Sequence, residues 1–279
     1  MIRAMEKAAE SKSGARAAPL VVGIVNVTPD SFYDGGRYPS AIHHAEQLIA
    51  EGADWLDIGG ESTRPGAAAV SAAEECRRVL PVIAAFAGTL PISIDTTKPE
   101  VARAAAAAGA TILNDVSGLT NPEMIAASGD FASVVIMHNR GTPQSLGSGT
   151  TFGALGSTAY GDLVAEVTGF LLERAAAARA ETVYVDPGIG FGKSADQSLA
   201  LLRHLPQIVA AGLPVLIGAS RKSFIGQTLG IPDPIDRLPG SLAAAATAYH
   251  HGAAALRVHD VAATRQVVDL LTAIHSAST

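Results

Sequence analysis

Read for hydrophobicity, the chain alternates between short apolar, β-branched runs and longer segments rich in Ala, Leu, Glu and Arg. The runs are LVVGIVN (20–26), DWLDIG (54–59), PISID (91–95), TILND (111–115), SVVIMH (133–138), TVYVD (182–186), PVLIG (214–218) and AALRVH (254–259). Helix-like segments between them cover 40–51, 71–87, 98–108, 160–180, 195–211, 240–251 and 260–275. Near-continuous apolar strands signal burial on both faces, the situation of a parallel sheet covered by helices, and eight βα units can close on themselves. The expectation is an α/β fold, a (β/α)8 TIM barrel in one domain over 19–279, with a doubly wound open sheet as the alternative. Residues 1–18 read as a flexible N-terminal leader: they lack the apolar core of a signal peptide, and Glu6 and Glu10 do not suit a transit sequence.

Polar residues punctuate the strand ends: Asn26, Asp57, Asp95, Asn114 with Asp115, His138, Asp186, and Arg257 with His259. Any one of them alone is as well explained by a turn or a helix cap. In a closed barrel, however, all carboxyl strand ends open onto one face, so these side chains converge on one mouth, where barrel active sites are built.

Composition narrows the chemistry. Charged residues make up 16% and hydrophobic ones 48% of the 279 positions, which suits a globular enzyme. A net charge of −6 provides no basic field for nucleic acid, so an anionic ligand needs a local pocket. No apolar run reaches membrane-spanning length. Cys76, the single cysteine, sits in a helical run where buried packing is its expected role, and a reducing cytoplasm fits.

Four motifs remain. GIVNVTPDSFYDGGR, from Gly23, leaves the first strand for a long loop with Asp30, Phe32 and Asp34, either a glycine-rich surface loop or a mobile lid. GADWLDIGGESTRPG, from Gly52, ends in a turn able to hold an anion. DPGIGFGKS, from Asp186, fails as a nucleotide P-loop because Pro187 stands where glycine is needed; a carboxylate on a Pro-Gly turn beside Phe191 suits a flat heterocycle better. IGASRKSFIG, from Ile217, sets Arg221 and Lys222 at the mouth, and Arg257 and His259, two apart on a strand, form with Asn26 a candidate anion site. HExxH, paired CxxC, GxSxG and GxGxxG patterns are missing, which disfavours zinc hydrolases, acyl-transfer hydrolases and Rossmann enzymes.

Taken in order, GIVNVTPDSFYDGG, DIGGESTRPG, ISIDTTKPEVARAA, NDVSG, MHNRGTPQ, DPGIGFGK, SRKSFIG and RVHDV resemble the dihydropteroate synthase family from Val21 to Val261. The resemblance implies a transferase of folate biosynthesis that joins 6-hydroxymethyl-7,8-dihydropterin pyrophosphate to p-aminobenzoate, is inhibited by sulfonamides, and acts as a cytoplasmic homodimer. It implies that Asp95, Asn114, Met137, Asp186, Phe191, Lys222 and Arg257 hold the pterin. Asn26, Arg257 and His259 would take the pyrophosphate, with Mg2+ on Asn26 and Asp30. Phe32, Thr63, Arg64, Pro65, Lys222 and Ser223 would form the p-aminobenzoate pocket. Asp34, Phe32, Lys222, Arg257 and His259 would carry catalysis. Two other readings stand beside this one: a pterin-binding methyltransferase relative, which lacks SRKSFIG together with the NVTPDSF loop, and a non-catalytic paralogue, which would lose Asp34 or Arg64.

Overall fold

The fold is that of a computed structural model describing residues 17–28, 38–61, 70–140 and 159–277. Eight parallel strands form its centre: β1 (Leu20–Asn26), β2 (Trp55–Gly59), β3 (Ile92–Asp95), β4 (Ile112–Asp115), β5 (Ser133–Met137), β6 (Thr182–Asp186), β7 (Leu216–Ile217) and β8 (Ala255–Val258). Their order is β6-β5-β4-β3-β2-β1-β8-β7. A parallel bridge between Val185 and Val215 joins the two ends of that order, so the sheet closes into the expected barrel and not the open alternative. Closure is thin there because Pro214 has no N–H to give; its carbonyl instead accepts from Val185 N at 3.0 Å, and β7 shrinks to two residues where five were expected.

The described helices are α1 (Tyr38–Ala50), α2 (Ala72–Phe86), α3 (Pro99–Ala107), α4 (Pro122–Ala127), α5 (Leu163–Ala177), α6 (Ala195–Arg203), α7 (Leu205–Val209), α8 (Ser223–Leu229), α9 (Leu238–His251) and α10 (Val261–Ser276). Local chemistry sets their starts. Ser71 accepts from Glu74 N ahead of α2, Asp162 from Ala165 N ahead of α5, and Ser194 with Gln197 forms a reciprocal capping box at α6. The single helix expected over 195–211 is two, because Pro206 lacks the N–H and the room to continue α6. Two short helices, α4 and α8, were not expected; α8 ends where Gly230 adopts φ 70°, a left-handed stop.

Side chains alternate along each strand. One set, including Leu56, Ile58, Ile94, Leu113, Val134 and Ile136, joins the helices in the main core. The other set fills the barrel, where Val22, Trp55, Ile112, Val135, Tyr184, Leu216 and Ala255 form a separate apolar cluster, with Trp55 and Tyr184 edge to face at 5.4 Å. Two residues further along the same faces come Asp57, Asn114, Met137, Asp186, Gly218 and Arg257, so one step up the barrel converts an apolar floor into a polar mouth. Cys76 packs partly buried against the main core, as expected, and burial raises its thiol pKa. Among the described residues no helix is long and apolar enough to cross a membrane. Most of the leader assigned to 1–18 lies outside the described residues.

Candidate active site

A cation bridges two carboxylates across the barrel. Arg257, on β8, donates from Nε to Asp57 Oδ2 at 2.5 Å and from Nη2 to Asp95 Oδ2 at 2.9 Å. Asn114, on β4, donates from Nδ2 to both oxygens of Asp57, at 3.3 and 3.2 Å. These bonds fix the polar residues of β2, β3, β4 and β8 as one unit. Burial, then repulsion from Asp57, pushes the Asp95 carboxyl up to about 7, with Arg257 pulling the other way. Burial opposes the charge on Arg257, but Asp57 and Asp95 outweigh it and hold the guanidinium protonated.

Beside this unit stands a second pair. Asp186, at the end of β6, accepts from Gly188 N at 2.7 Å through Oδ1, and burial pushes its carboxyl up against the pull of Lys222. Lys222 donates from Nζ to Ile189 O at 2.5 Å, lies 4.6 Å from the Phe191 ring centroid, and is drawn down to about 8 by burial. The DPGIGFGK turn that presents Ile189 and Phe191 needs its glycines: Gly188, Gly190 and Gly192 all have positive φ, at 68°, 82° and 58°. A Cβ placed on Gly218 would stand 3.8 Å from each of Asp186 Oδ2, Lys222 Nζ and Arg257 Cβ. The absent side chain at Gly218 therefore leaves a space bordered by a carboxylate, an ammonium and the Arg257 stem. Met137 pairs in register with Asp186 and is buried.

The remaining expectations divide. Asn26 ends β1 at the mouth, half-buried. His259 lies past the end of β8 and meets Ser220 Oγ through its backbone N–H at 3.2 Å and its Nδ1 at 3.1 Å. Ser223 is exposed at the start of α8. Arg221, read beside Lys222 as a cation of the mouth, is instead committed to Asp260, with Nε to Oδ2 at 2.9 Å and Nη2 to Oδ1 at 2.5 Å. Asp115, counted among the converging strand ends, is a loop clamp: its carboxylate accepts from Ser117 N, Ser117 Oγ and Leu119 N. Asp30, Phe32, Asp34, Thr63, Arg64 and Pro65 lie outside the described residues. Glu61, just before three of these, pairs with Lys98, which also reaches buried Glu75 at 2.5 Å. The strand-end position of Asp57 by itself assigns it no role, although its two-residue offset from Trp55 places it on the inner face. Failure of the P-loop pattern leaves Lys193 without a role in the sequence.

No cluster of three or more His, Cys, Asp or Glu able to hold a metal occurs among the described residues. Asn26 offers one hard amide oxygen at the mouth, which fits an ion such as Mg2+ that takes few protein ligands and keeps water and substrate phosphates.

A slot bordered by Asp186, Lys222 and Arg257 above Asp95 and Asn114 matches a flat heterocycle with a donor edge and an acceptor edge. The chain belongs to the pterin binding enzymes, the family whose pattern residues 22–259 match. It is 46% identical to the dihydropteroate synthase of Synechocystis, over 91% of this chain and 89% of that one, and 43% identical to that of Escherichia coli K12, over 93% of each. Among solved structures, Xanthomonas albilineans dihydropteroate synthase with 4-aminobenzoic acid is 47% identical and superposes with a TM-score of 0.84 over 94% of each chain. Within the pterin binding enzymes, the chain is a member of the dihydropteroate synthase family.

Proposed function

We propose that this chain condenses 6-hydroxymethyl-7,8-dihydropterin pyrophosphate with p-aminobenzoate, forming 7,8-dihydropteroate and pyrophosphate. The observation that carries the reading is the convergence of Asp186, Lys222 and Arg257 on the space left by Gly218. A pterin presents its 2-amino and N3–H groups as a planar two-donor edge, which an ionised Asp186 meets with two parallel charge-assisted bonds. Lys222 donates to O4 and N5 on the adjoining edge, Phe191 and Met137 line the slot, and Asp95 and Asn114 complete it. The related structure from Xanthomonas albilineans in complex with 7,8-dihydropteroate, 44% identical with a TM-score of 0.81, supports dihydropteroate as the product.

In the reaction the arylamine nitrogen bonds to the exocyclic methylene carbon, the bond from that carbon to pyrophosphate oxygen breaks with its electron pair, and the amine loses one proton. An arylamine is a weak nucleophile, so departure of the anion runs ahead of attack. Arg257 and His259 stabilise the departing charge, and Asp34 and Phe32 the electron-poor methylene. A preorganised charged donor of this kind is worth on the order of 3 kcal/mol, or about a hundredfold in rate. Asn26 and Asp30 would hold Mg2+, which when bound offsets charge on the pyrophosphate. Phe32, Thr63, Arg64, Pro65, Lys222 and Ser223 would form the p-aminobenzoate pocket, the place where sulfonamides compete; a Yersinia pestis dihydropteroate synthase structure with a sulfonamide drug complex, 40% identical, supports sulfonamides as inhibitors of this chain. The enzyme works as a homodimer in the cytoplasm. The deciding assay is pyrophosphate release: dependence on both substrates is expected, whereas binding without turnover, or methyl transfer from methyltetrahydrofolate, overturns the reading.

A further inference from the structure

The turn that follows β6 carries a second ammonium that the proposed chemistry does not use. Lys193 Nζ lies 3.0 Å from Gly188 O, 3.0 Å from Phe191 O, 3.3 Å from His138 O and 3.0 Å from His138 Nδ1. Two of these acceptors belong to the turn and two to the residue just past β5. The turn is wedged as well as bonded, because a Cβ on Gly188 would fall 1.9 Å from His138 O. Burial draws Lys193 down to about 7, so its position is held against a desolvation cost that only close acceptors offset. Left-handed glycines at 188, 190 and 192 let the carbonyls of one short turn serve two ammonium ions: Gly188 and Phe191 serve Lys193, and Ile189 serves Lys222.

We propose that Lys193 is a positioning residue for the pterin site: by gathering the Gly188, Phe191 and His138 carbonyls it fixes the turn whose Ile189 carbonyl and Phe191 ring hold Lys222. The inference rests on the function proposed above. Lys193 itself touches no reacting atom. Without it, four acceptors lose their donor, the turn is held to the end of β5 only by packing and by the bond from His138 N to Asp186 O at 2.8 Å, and the Ile189 carbonyl and Phe191 ring that orient Lys222 are less firmly placed. The defect therefore falls more heavily on pterin recognition, where Lys222 and Phe191 both act, than on the p-aminobenzoate side, where of these two only Lys222 has a part.

The test compares wild type, Lys193→Met, Phe191→Leu and the double variant. Affinity for 6-hydroxymethylpterin is measured by calorimetry, and both KM values are measured in steady state. Lys193→Met is expected to weaken pterin affinity at least tenfold and raise the KM for pterin pyrophosphate similarly, with a clearly smaller rise in the KM for p-aminobenzoate, whose pocket shares Lys222. In the Phe191→Leu background the same change is expected to cost clearly less, since both act through one turn. A lower melting temperature with unchanged pterin affinity, or two single effects that multiply in full, overturns the proposal. Lys193→Gln, which keeps an amide donor, runs in parallel and should show the same pattern at smaller amplitude even if the methionine variant does not fold. Wild-type enzyme that binds no pterin would instead sink the functional reading and is seen before any variant is made.

Discussion

The floor and the mouth of this barrel are built from the same strands, two residues apart, and obey opposite rules. At the floor, Trp55, Tyr184, Val135 and Ile112 fill the interior with apolar volume, and stability comes from burial and ring packing. At the mouth, Asp57, Asp95, Asn114, Asp186 and Arg257 stand on the continuation of those faces, and burial works against them. The carboxylates persist there because Arg257, Lys222 and backbone N–H groups compensate them, an arrangement that preserves geometry for a ligand more than it stabilises the chain. The difference separates substitutions that unfold the protein from those that silence it.

The largest effect should come from the floor. Trp55→Ala removes a ring that is 4% exposed and is expected to cost about 3–5 kcal/mol in denaturant unfolding, with pterin affinity in the surviving folded fraction near normal. Trp55→Phe should cost much less, since the indole N–H has no hydrogen-bond partner to lose. A Trp55→Ala protein that is stable but inactive would erase the division between floor and mouth. At the mouth, Asp186→Asn keeps volume and fold but presents one acceptor where two are needed, so pterin affinity should fall about a hundredfold, on the order of 3 kcal/mol. Wild-type affinity in that variant would remove Asp186 from the site.

Proton balance sharpens the same contrast. If the proposed pterin slot is right and its ligand is held best with Asp95 ionised and Lys222 protonated, its pH dependence follows, since burial, with Asp57 nearby, places Asp95 at about 7 and burial places Lys222 at about 8. Affinity should rise as pH climbs through about 7, because a carboxyl with a raised pKa stays protonated below it, and fall as Lys222 loses its proton above about 8. A ligand needing both charges thus binds best in a narrow window, with roughly tenfold weaker binding one unit below the acid limb. Asp95→Asn should flatten that limb. A profile that keeps its acid limb in this variant would assign the titration to another group.

How far the sequence carried this picture can be read from single residues. Alternating apolar runs announced eight strands because parallel strands buried on both faces leave little freedom in composition; β7 came out short because pattern does not register that Pro214 cannot donate. The gathering of Asp95, Asn114, Asp186 and Arg257 at one mouth is legible from strand-end position, and the presence of Lys222 there from its place just past the seventh strand. Asp115 looked the same by position and proved to be a loop clamp, since position says nothing about where a carboxylate turns once Ser117 and Leu119 offer nearer donors. Arg221 was misplaced for a related reason: its φ of 58° swings it out of line with Lys222 and onto Asp260. Lys193 is not legible in the sequence, because its acceptors are backbone carbonyls and a histidine nitrogen that only folding brings to it.

The smallest change proposed is the addition of one carbon. Gly218 continues the inner face of β7, and its φ lies outside the left-handed range, so alanine there should introduce no backbone strain. The new Cβ would find ordinary contacts at 3.8 Å, to Arg257 Cβ, Asp186 Oδ2 and Lys222 Nζ, so the packing of the folded chain should not resist it either. Stability is therefore expected to stay within about 0.5 kcal/mol of wild type. The methyl would nevertheless occupy the space where the slot's carboxylate, ammonium and guanidinium stem meet, and a flat ligand seated against that wall must shift by a few tenths of an ångström. Two parallel hydrogen bonds to Asp186 tolerate such a shift poorly, so pterin affinity should drop about tenfold, or about 1.4 kcal/mol. Calorimetry with 6-hydroxymethylpterin and thermal unfolding of Gly218→Ala measure the two quantities side by side. Unchanged affinity would place the pterin away from this wall, and a large stability loss with unchanged affinity would make Gly218 a packing residue of the barrel.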